Sequence, residues 1–264
     1  MLTSVARIWR AEVDGRLVAL IATVIECCEE PRAAGWGHPR SETVRVVASL
    51  RQFLREGVPW RSLRASELRA SGSTLRRALD RWAHRGVRAR VPALLVAMLR
   101  GSPEVILDSC SVRAKRGGDL TGPNPTDRGQ RGTQYPVAIT GDGVPAACVA
   151  TAANINHTLL FERLFLAAFA VLARIGTVLA DKGDDAERHR DLCRRFAVAP
   201  RIHKRGQPHG SGLRQRRWPV ERSLAWLVEN RRLALRYDRL GFIIQSLLQS
   251  ACIFLVAGRL AREF

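Results

Sequence analysis

The feature that most limits how this chain can fold is a change of hydrophobic period at Gly101-Ser102-Pro103. Before it, apolar residues recur every three or four positions. After it, short apolar runs are separated by turn residues. E-V-I-L-D-S-C-S-V-R-A (104–114) reads as a strand with Asp108 in its middle. T-Q-Y-P-V-A-I-T, a turn at 141–143 and V-P-A-A-C-V-A-T-A predict a β-hairpin. Asn154 to His157 leads into an apolar helix, and T-V-L-A-D-K-G is a buried strand closed by Asp181. A charged helix (A-E-R-H-R-D-L-C-R-R-F) and a further strand (V-A-P-R-I-H-K-R-G) follow. The order β-β-β-α-β-α-β-α predicts an α/β (α+β) fold, a mixed sheet with helices packed on it.

The residues ahead of this sheet read as a small all-α unit. L-V-A-L-I-A-T-V-I-E-C-C is an apolar helical run, followed by a breaker-rich stretch to about residue 40. S-E-T-V-R-V-V-A-S-L-R-Q-F-L-R-E is amphipathic, with Ser41 the candidate N-cap and Gly57 and Pro59 its end. V-P-W-R-S-L makes a turn anchored by Trp60. A basic helix follows, capped by Ser73 or Thr74 and carrying Arg76, Arg77, Arg81 and Arg85 outward. Helix, turn, basic helix is the outline of a helix-turn-helix-like DNA reader, which any small bundle shares. The expected division is 1–100, with 1–38 poorly defined, and 101–264 including a C-terminal helix.

Two basic segments sit among the strands. K-R-G-G-D-L-T-G-P-N-P-T-D-R-G-Q-R-G-T is nearly devoid of apolar residues and predicts a mobile loop without phosphate-loop spacing. In R-R-W-P-V-E-R-S-L-A-W-L-V-E-N-R-R (216–232), Val220, Leu224, Leu227 and Val228 form an apolar helical stripe with Trp226 near its edge. Pro219 suits a first turn. That places Glu221 in the first turn with Arg216, Arg217 and Arg222 around it. Such a carboxylate is either an ion-paired surface group or a catalytic acid facing a phosphate channel.

The net charge of +19 bears on the second reading, because it describes what the surface meets: nucleic acid, an anionic membrane or another acidic polymer. Only three of the 43 basic residues are lysine, and arginine suits forked phosphate contacts. The first residues lack an export-signal pattern, so a cytoplasmic protein is expected. Residues 242–257 are apolar but carry Gln245, Ser246, Gln249 and Ser250, which favours a buried helix over a membrane span. Six cysteines without a C-x-x-C pair predict reduced, mostly buried thiols.

Asp108 and Asp181 both interrupt or end apolar strands, where an ionised carboxylate is costly unless a cation meets it. Strand ends in a mixed sheet share an edge, and a helix packed there could add Glu221. Three such acids would repel one another, and oxygen-rich sites of this kind favour Mg²⁺ or Mn²⁺, with two ions able to process a phosphodiester. For each aspartate the ordinary alternative is a capping or strand-end role. Asp119, Asp184 and Asp185 follow apolar strands less directly.

L-D-S-C-S-V-R-A-K-R-G-G, T-G-P-N-P-T-D-R-G, V-L-A-D-K-G and R-W-P-V-E-R-S-L-A-W-L, with R-E-G-V-P-W-R-S-L upstream, resemble the blocks of bacterial insertion-sequence DDE transposases of the IS-four/IS-five superfamily. The resemblance runs from about residue 41 to 240. It implies a ribonuclease H-like catalytic fold and DNA strand cleavage and transfer. It also implies two Mg²⁺ (or Mn²⁺) ions held by Asp108, Asp181 and Glu221 as the catalytic and metal-binding triad. Arg217 matches the arginine of the Y-x-x-R-x-x-x-E-x-x-x-x-x-x-K signature. Arg214 and Val228 stand where its tyrosine and lysine would be, and His157 and Asp184 also depart from the usual residues. The expected partners are double-stranded DNA (terminal inverted repeats and target) and, in the active complex, a homodimer or larger assembly, with no membrane. The residues expected to meet DNA are Arg76, Arg77, Arg81, Arg113, Lys115, Arg116, Lys182, Arg214, Arg216, Arg217 and Arg222. A decayed DNA-binding copy without catalysis and a metal-dependent nuclease lacking strand transfer are the alternatives.

Overall fold

The computed structural model describes residues 2–30, 39–99, 101–204 and 213–263. The breaker-rich 31–38 and the glycine-containing 205–212 lie outside the described residues. Helix α1 (Leu2–Cys28) precedes α2 (Thr43–Glu56), a single 3₁₀ turn at Trp60–Ser62, α3 (Gly72–His84) and α4 (Val87–Ala97). Apolar residues at helical spacing turn inward: Leu17, Ile21 and Ile25 on α1, Val46, Leu50 and Phe53 on α2, Leu75, Leu79 and Trp82 on α3. Gly57 ends α2 in the left-handed region at φ 68°, and its N–H bonds the Phe53 carbonyl at 3.2 Å.

Two expected caps are corrected. Glu42, not Ser41, occupies the N-cap of α2 and makes no side-chain cap bond. Ser71 caps α3, its hydroxyl accepting from the Thr74 amide at 3.3 Å. Thr74 therefore donates through its backbone instead of capping. The run S-G-S-T offers three hydroxyls, and the helix starts from the earliest of them.

Strand β1 (Glu104–Arg113) lies at the centre of the sheet. The long strand β3 (Arg131–Thr140) runs antiparallel to it, Asp108 facing Val137. On β3's other edge pair β2 (Gly122–Pro123), β4 (Pro145–Cys148) and β5 (Thr151–Ala152). On the far side of β1, β6 (Thr177–Ala180) and β7 (Ala199–Ile202) run parallel to it, giving the order β2-β3-β1-β6-β7. Helix α5 (His157–Phe169) precedes β6, and α6 (Glu187–Arg195) links β6 to β7. This is the mixed α/β sheet flanked by helices that the order of periodicities predicts.

Alternation along β1 sends successive residues to opposite faces. Val105 and Leu107 join Phe161, Leu164 and Phe165 of α5 and Cys193 of α6 in one core. Ile106 turns the other way. With Val137, Ile139 and Leu179 it meets Val220, Leu224 and Leu227 of α7 (Leu213–Glu229). That second core is continuous with the helices α1–α4 through α9 (Gly241–Glu263), which buries Ile243, Leu247, Leu248 and Ala251. Residues 241–262 are long and apolar enough to cross a membrane, but 67% of the 18-residue window is buried within the fold.

Two further readings change. Helix α7 begins at Leu213, so Pro219 lies inside it and Glu221 stands at its midpoint, not in its first turn. The proline removes only one backbone bond, and the buried stripe beyond it carries the helix onward. The basic segment 115–133 is not all loop: it contributes β2 and the first residues of β3, and side chains from far along the chain anchor it. The Arg236 guanidinium, itself buried, donates to the carbonyls of Asp119 and Leu120 and to the hydroxyls of Thr121 and Thr133. The Asp119 amide donates to the Arg239 carbonyl at 2.8 Å, and its carboxylate accepts from the Gly241 amide at 2.9 Å.

Candidate active site

Parallel pairing joins Glu104 to Thr177, Val105 to Val178 and Ile106 to Leu179. Continuing that register by two residues brings Asp108 opposite Asp181, on the face of the sheet that Ile106 and Leu179 share. Asp181 follows the last residue of β6 and opens a short 3₁₀ turn, where its Oδ1 accepts from the Gly183 amide at 2.5 Å. Its capping role and its position beside Asp108 are therefore compatible.

Helix α7 crosses this face. Arg217 donates from Nη2 to Asp108 Oδ2 at 2.8 Å, while Asp108 Oδ1 accepts from the Ser109 amide at 2.8 Å. The pair is enclosed, with side-chain exposures of 17% and 23%, and Arg217 Nε is buried without a partner. Burial raises the Asp108 carboxyl above the usual aspartate range. The Arg217 charge and the Ser109 amide pull it down, and the neighbouring Asp181 adds to the rise. Burial also pushes the Cys110 thiol, two residues along β1, up to about 12, with Asp108 adding to the effect.

Glu221 lies one helical turn beyond Arg217, exposed on α7. Asp108 and Asp181 are thus brought together, and Glu221 stands on the helix that covers them. Among the described residues, no three acidic, histidine or cysteine side chains are grouped closely enough to hold a metal ion. The remaining aspartates have structural engagements. Asp185 pairs with Arg190 at 2.7 Å, Asp119 caps α9, and the buried Asp184 accepts at its carbonyl from the His189 ring.

The expected DNA-contacting residues divide by what they touch. Arg76 and Arg77 are exposed on α3, and Lys115 and Arg116 on the loop after β1, with Arg116 over the Tyr237 ring. Arg81 meets Glu29, Arg113 meets Asp127 and Arg216 meets Glu104. Lys182 is half-buried beside Asp181. The side chain of Arg214 lies outside the described residues.

Arg222 is held in a way the sequence reading missed. Its guanidinium lies 4.4 Å from the ring centre of Trp218 and 4.8 Å from that of Trp226, one turn away on either side along α7. The W-x-x-x-R-x-x-x-W spacing was the available signal. Trp218 remains 52% exposed, so the sandwich presents an indole at the surface next to Glu221.

The sequence profile of the family described as Transposase DDE domain matches residues 100–255. Over 149 residues the chain is 38% identical to the protein assigned as transposase of insertion sequence element IS402 of Burkholderia cepacia, covering 54% of this chain and 71% of that one. Two solved structures are more distantly similar. The catalytic core of BIV integrase gives a TM-score of 0.37 at 16% identity, covering 58% of this chain and 82% of that one. The Mos1 transposase paired-end complex gives 0.29 at 12% identity, covering 86% and 82%.

Proposed function

The chain belongs to the transposase DDE-domain family, and from that premise we propose that it cuts DNA at insertion-sequence ends and joins the freed 3′ ends to target DNA. The observation that carries this reading is the parallel register of β1 and β6, which, extended two residues past Ile106 and Leu179, sets Asp108 beside Asp181 beneath the helix that bears Arg217 and Glu221. Two carboxylates at neighbouring register positions repel, and Asp181 does raise the Asp108 carboxyl. Hard oxygen donors under mutual repulsion fit a divalent cation.

In this proposal Asp108 and Asp181 would hold Mg²⁺ or Mn²⁺, and Glu221, which is not grouped with them in this structure, would complete the set when the ions bind. When bound, these ions supply Lewis-acid stabilisation of charge on phosphodiester oxygens and ease deprotonation of the attacking hydroxyl. Arg217 fixes the direction of Asp108 and balances its charge within an enclosed site. Arg222, aimed by two indoles, and the exposed Arg76, Arg77, Lys115 and Arg116 take the backbone phosphates. Double-stranded DNA is the partner, a homodimer or larger assembly forms the working complex, and the reaction takes place at the nucleoid in the cytoplasm.

The test is incubation of labelled duplexes carrying the inverted repeats that flank the gene, with Mg²⁺, using wild type, Asp108→Asn and Glu221→Gln. Cleavage and a joined product in wild type are expected. Both variants should lose at least ~10³-fold in rate while binding DNA as wild type does. A nicked product that is never joined would leave a nuclease, and binding with no cleavage by wild type would leave a DNA-binding protein without catalysis. Affinity should fall steeply with salt, because arginine–phosphate contacts release counterions.

A further inference from the structure

A second basic site lies on a different part of the chain and does not rest on the cleavage reading. A cavity of about 360 Å³ opens where the α3–α4 turn, β4, α5 and α9 meet. Arg88 from α4 and Arg163 from α5 line it, together with Cys148, Gln245 and Gln249, and no aspartate or glutamate does.

Arg88 lines the cavity with few of its donors engaged. It is half-buried, and its Nη1 donates only to neutral oxygens, Ser246 Oγ at 2.7 Å and the Phe242 carbonyl at 3.3 Å. Its Nε is buried without a partner, and burial lowers the guanidinium's pKa. Arg51, Arg190, Arg217 and Arg232, also enclosed, meet carboxylates, while the buried Arg236 spends its donors on five carbonyl and hydroxyl oxygens. Arg163, exposed on α5, likewise has no acidic partner among the described residues. Gln245 is fully engaged, accepting from the Ala150 amide and donating to the Cys148 carbonyl, and so ties α9 to the strand that walls the cavity. Gln249 also lines the cavity, its Oε1 buried without a partner among the described residues. Two cations lining a space large enough for a tetrahedral oxyanion, with no acid among its lining residues to balance them, are a recognition set for an anion.

We propose that this cavity binds a phosphate group, with Arg88 and Arg163 as its two charged contacts. The phosphate comes either from the DNA backbone or free from solution, and the same variants separate these sources. Inorganic phosphate is titrated calorimetrically into the full chain, using wild type, Arg163→Gln, Arg88→Lys and, as a control for diffuse attraction, the exposed Arg195→Gln of α6. Duplex affinity is measured against salt for the same proteins.

Saturable phosphate binding that weakens about tenfold in Arg163→Gln and Arg88→Lys, but not in Arg195→Gln, is the expected result. Arg163 is exposed, so its replacement tests the site even if Arg88→Lys disturbs the packing of α4 on α9. A salt slope reduced by about one in Arg163→Gln, but not in Arg195→Gln, assigns the phosphate to DNA. An unchanged slope with weakened phosphate binding assigns it to the free ion. The proposal is overturned if Arg195→Gln has the same effect as Arg163→Gln. It is equally overturned if Arg163→Gln alters neither phosphate binding nor the salt slope. Because no acidic residue of the candidate active site is changed, a chain that binds phosphate here but never cleaves DNA would separate this inference from the catalytic one.

Discussion

Trp60 donates its indole N–H to Asp238 at 2.8 Å, joining the turn between α2 and α3 to the segment that follows α8 (Arg231–Ala234). Arg232 completes the contact, reaching the same carboxylate with Nε at 2.9 Å and Nη2 at 3.0 Å and lying over the Phe53 ring. The ion pair is nearly sealed, at 6% and 10% side-chain exposure. Arg232→Met would strand the Asp238 charge and should cost about 3–5 kcal/mol. Trp60→Phe, which loses one hydrogen bond to a carboxylate the arginine still holds, should cost about 1–2 kcal/mol. Denaturant unfolding of both variants checks the order, and a smaller loss for Arg232→Met than for Trp60→Phe would contradict it.

Asp108 should make stability depend on pH in the direction opposite to most carboxylates. Burial raises its pKa in the folded state, so its contribution is fully present below the unfolded value of about 3.9 and is lost as pH rises through the raised folded value. Asp108→Asn should therefore melt above wild type at pH 7, with the gap closing as the pH approaches the ordinary aspartate range. A variant that melts below wild type at neutral pH would show that the Arg217 ion pair outweighs burial.

The Cys110 thiol, raised to about 12, should resist alkylation. At pH 8 the native protein should label first at the exposed Cys27, with Cys110 modified more than ~100-fold more slowly until the chain is unfolded. Mass spectrometry of a short iodoacetamide pulse distinguishes the two sites. Early labelling at Cys110 would mean that β1 opens easily next to Asp108.

The basic loop after β1 offers a backbone test. Gly118 has φ +102°, and a Cβ there would stand 2.5 Å from the Arg239 carbonyl oxygen. Gly129, at φ +72°, faces open space. Gly118→Ala should destabilise by about 3 kcal/mol or more and Gly129→Ala by about 1 kcal/mol, because only the first adds a backbone clash to the strain of a positive φ. Equal losses would show that the loop shifts away from Arg239 without cost.

These contrasts mark where the sequence was informative. β1, the hairpin and β6 are legible because their apolar runs and turns are local, and a buried face imposes a period that a reader can count. The placement of 115–133 is not legible. What holds it is Arg236 and Arg239, more than a hundred residues downstream, and no pattern within the loop announces them. The start of α7 was misplaced for a related reason: the polar turn from Leu213 to Arg217 has no apolar rhythm, while Pro219 looks like a first-turn residue. In the candidate site, the strands that carry Asp108 and Asp181 can be read from the chain, but the register that aligns them belongs to the sheet. The Arg217 contact depends in turn on how α7 crosses that sheet.

The last helix gives the fold an all-or-nothing character. Because α9 fills the same apolar interior as α1–α4 and as one side of the strands, cutting the polypeptide near residue 100 would strip a long oily flank bare. The excised portion from residue 101 onward is expected to clump in water. A chain that lost its leading helices would then forfeit solubility.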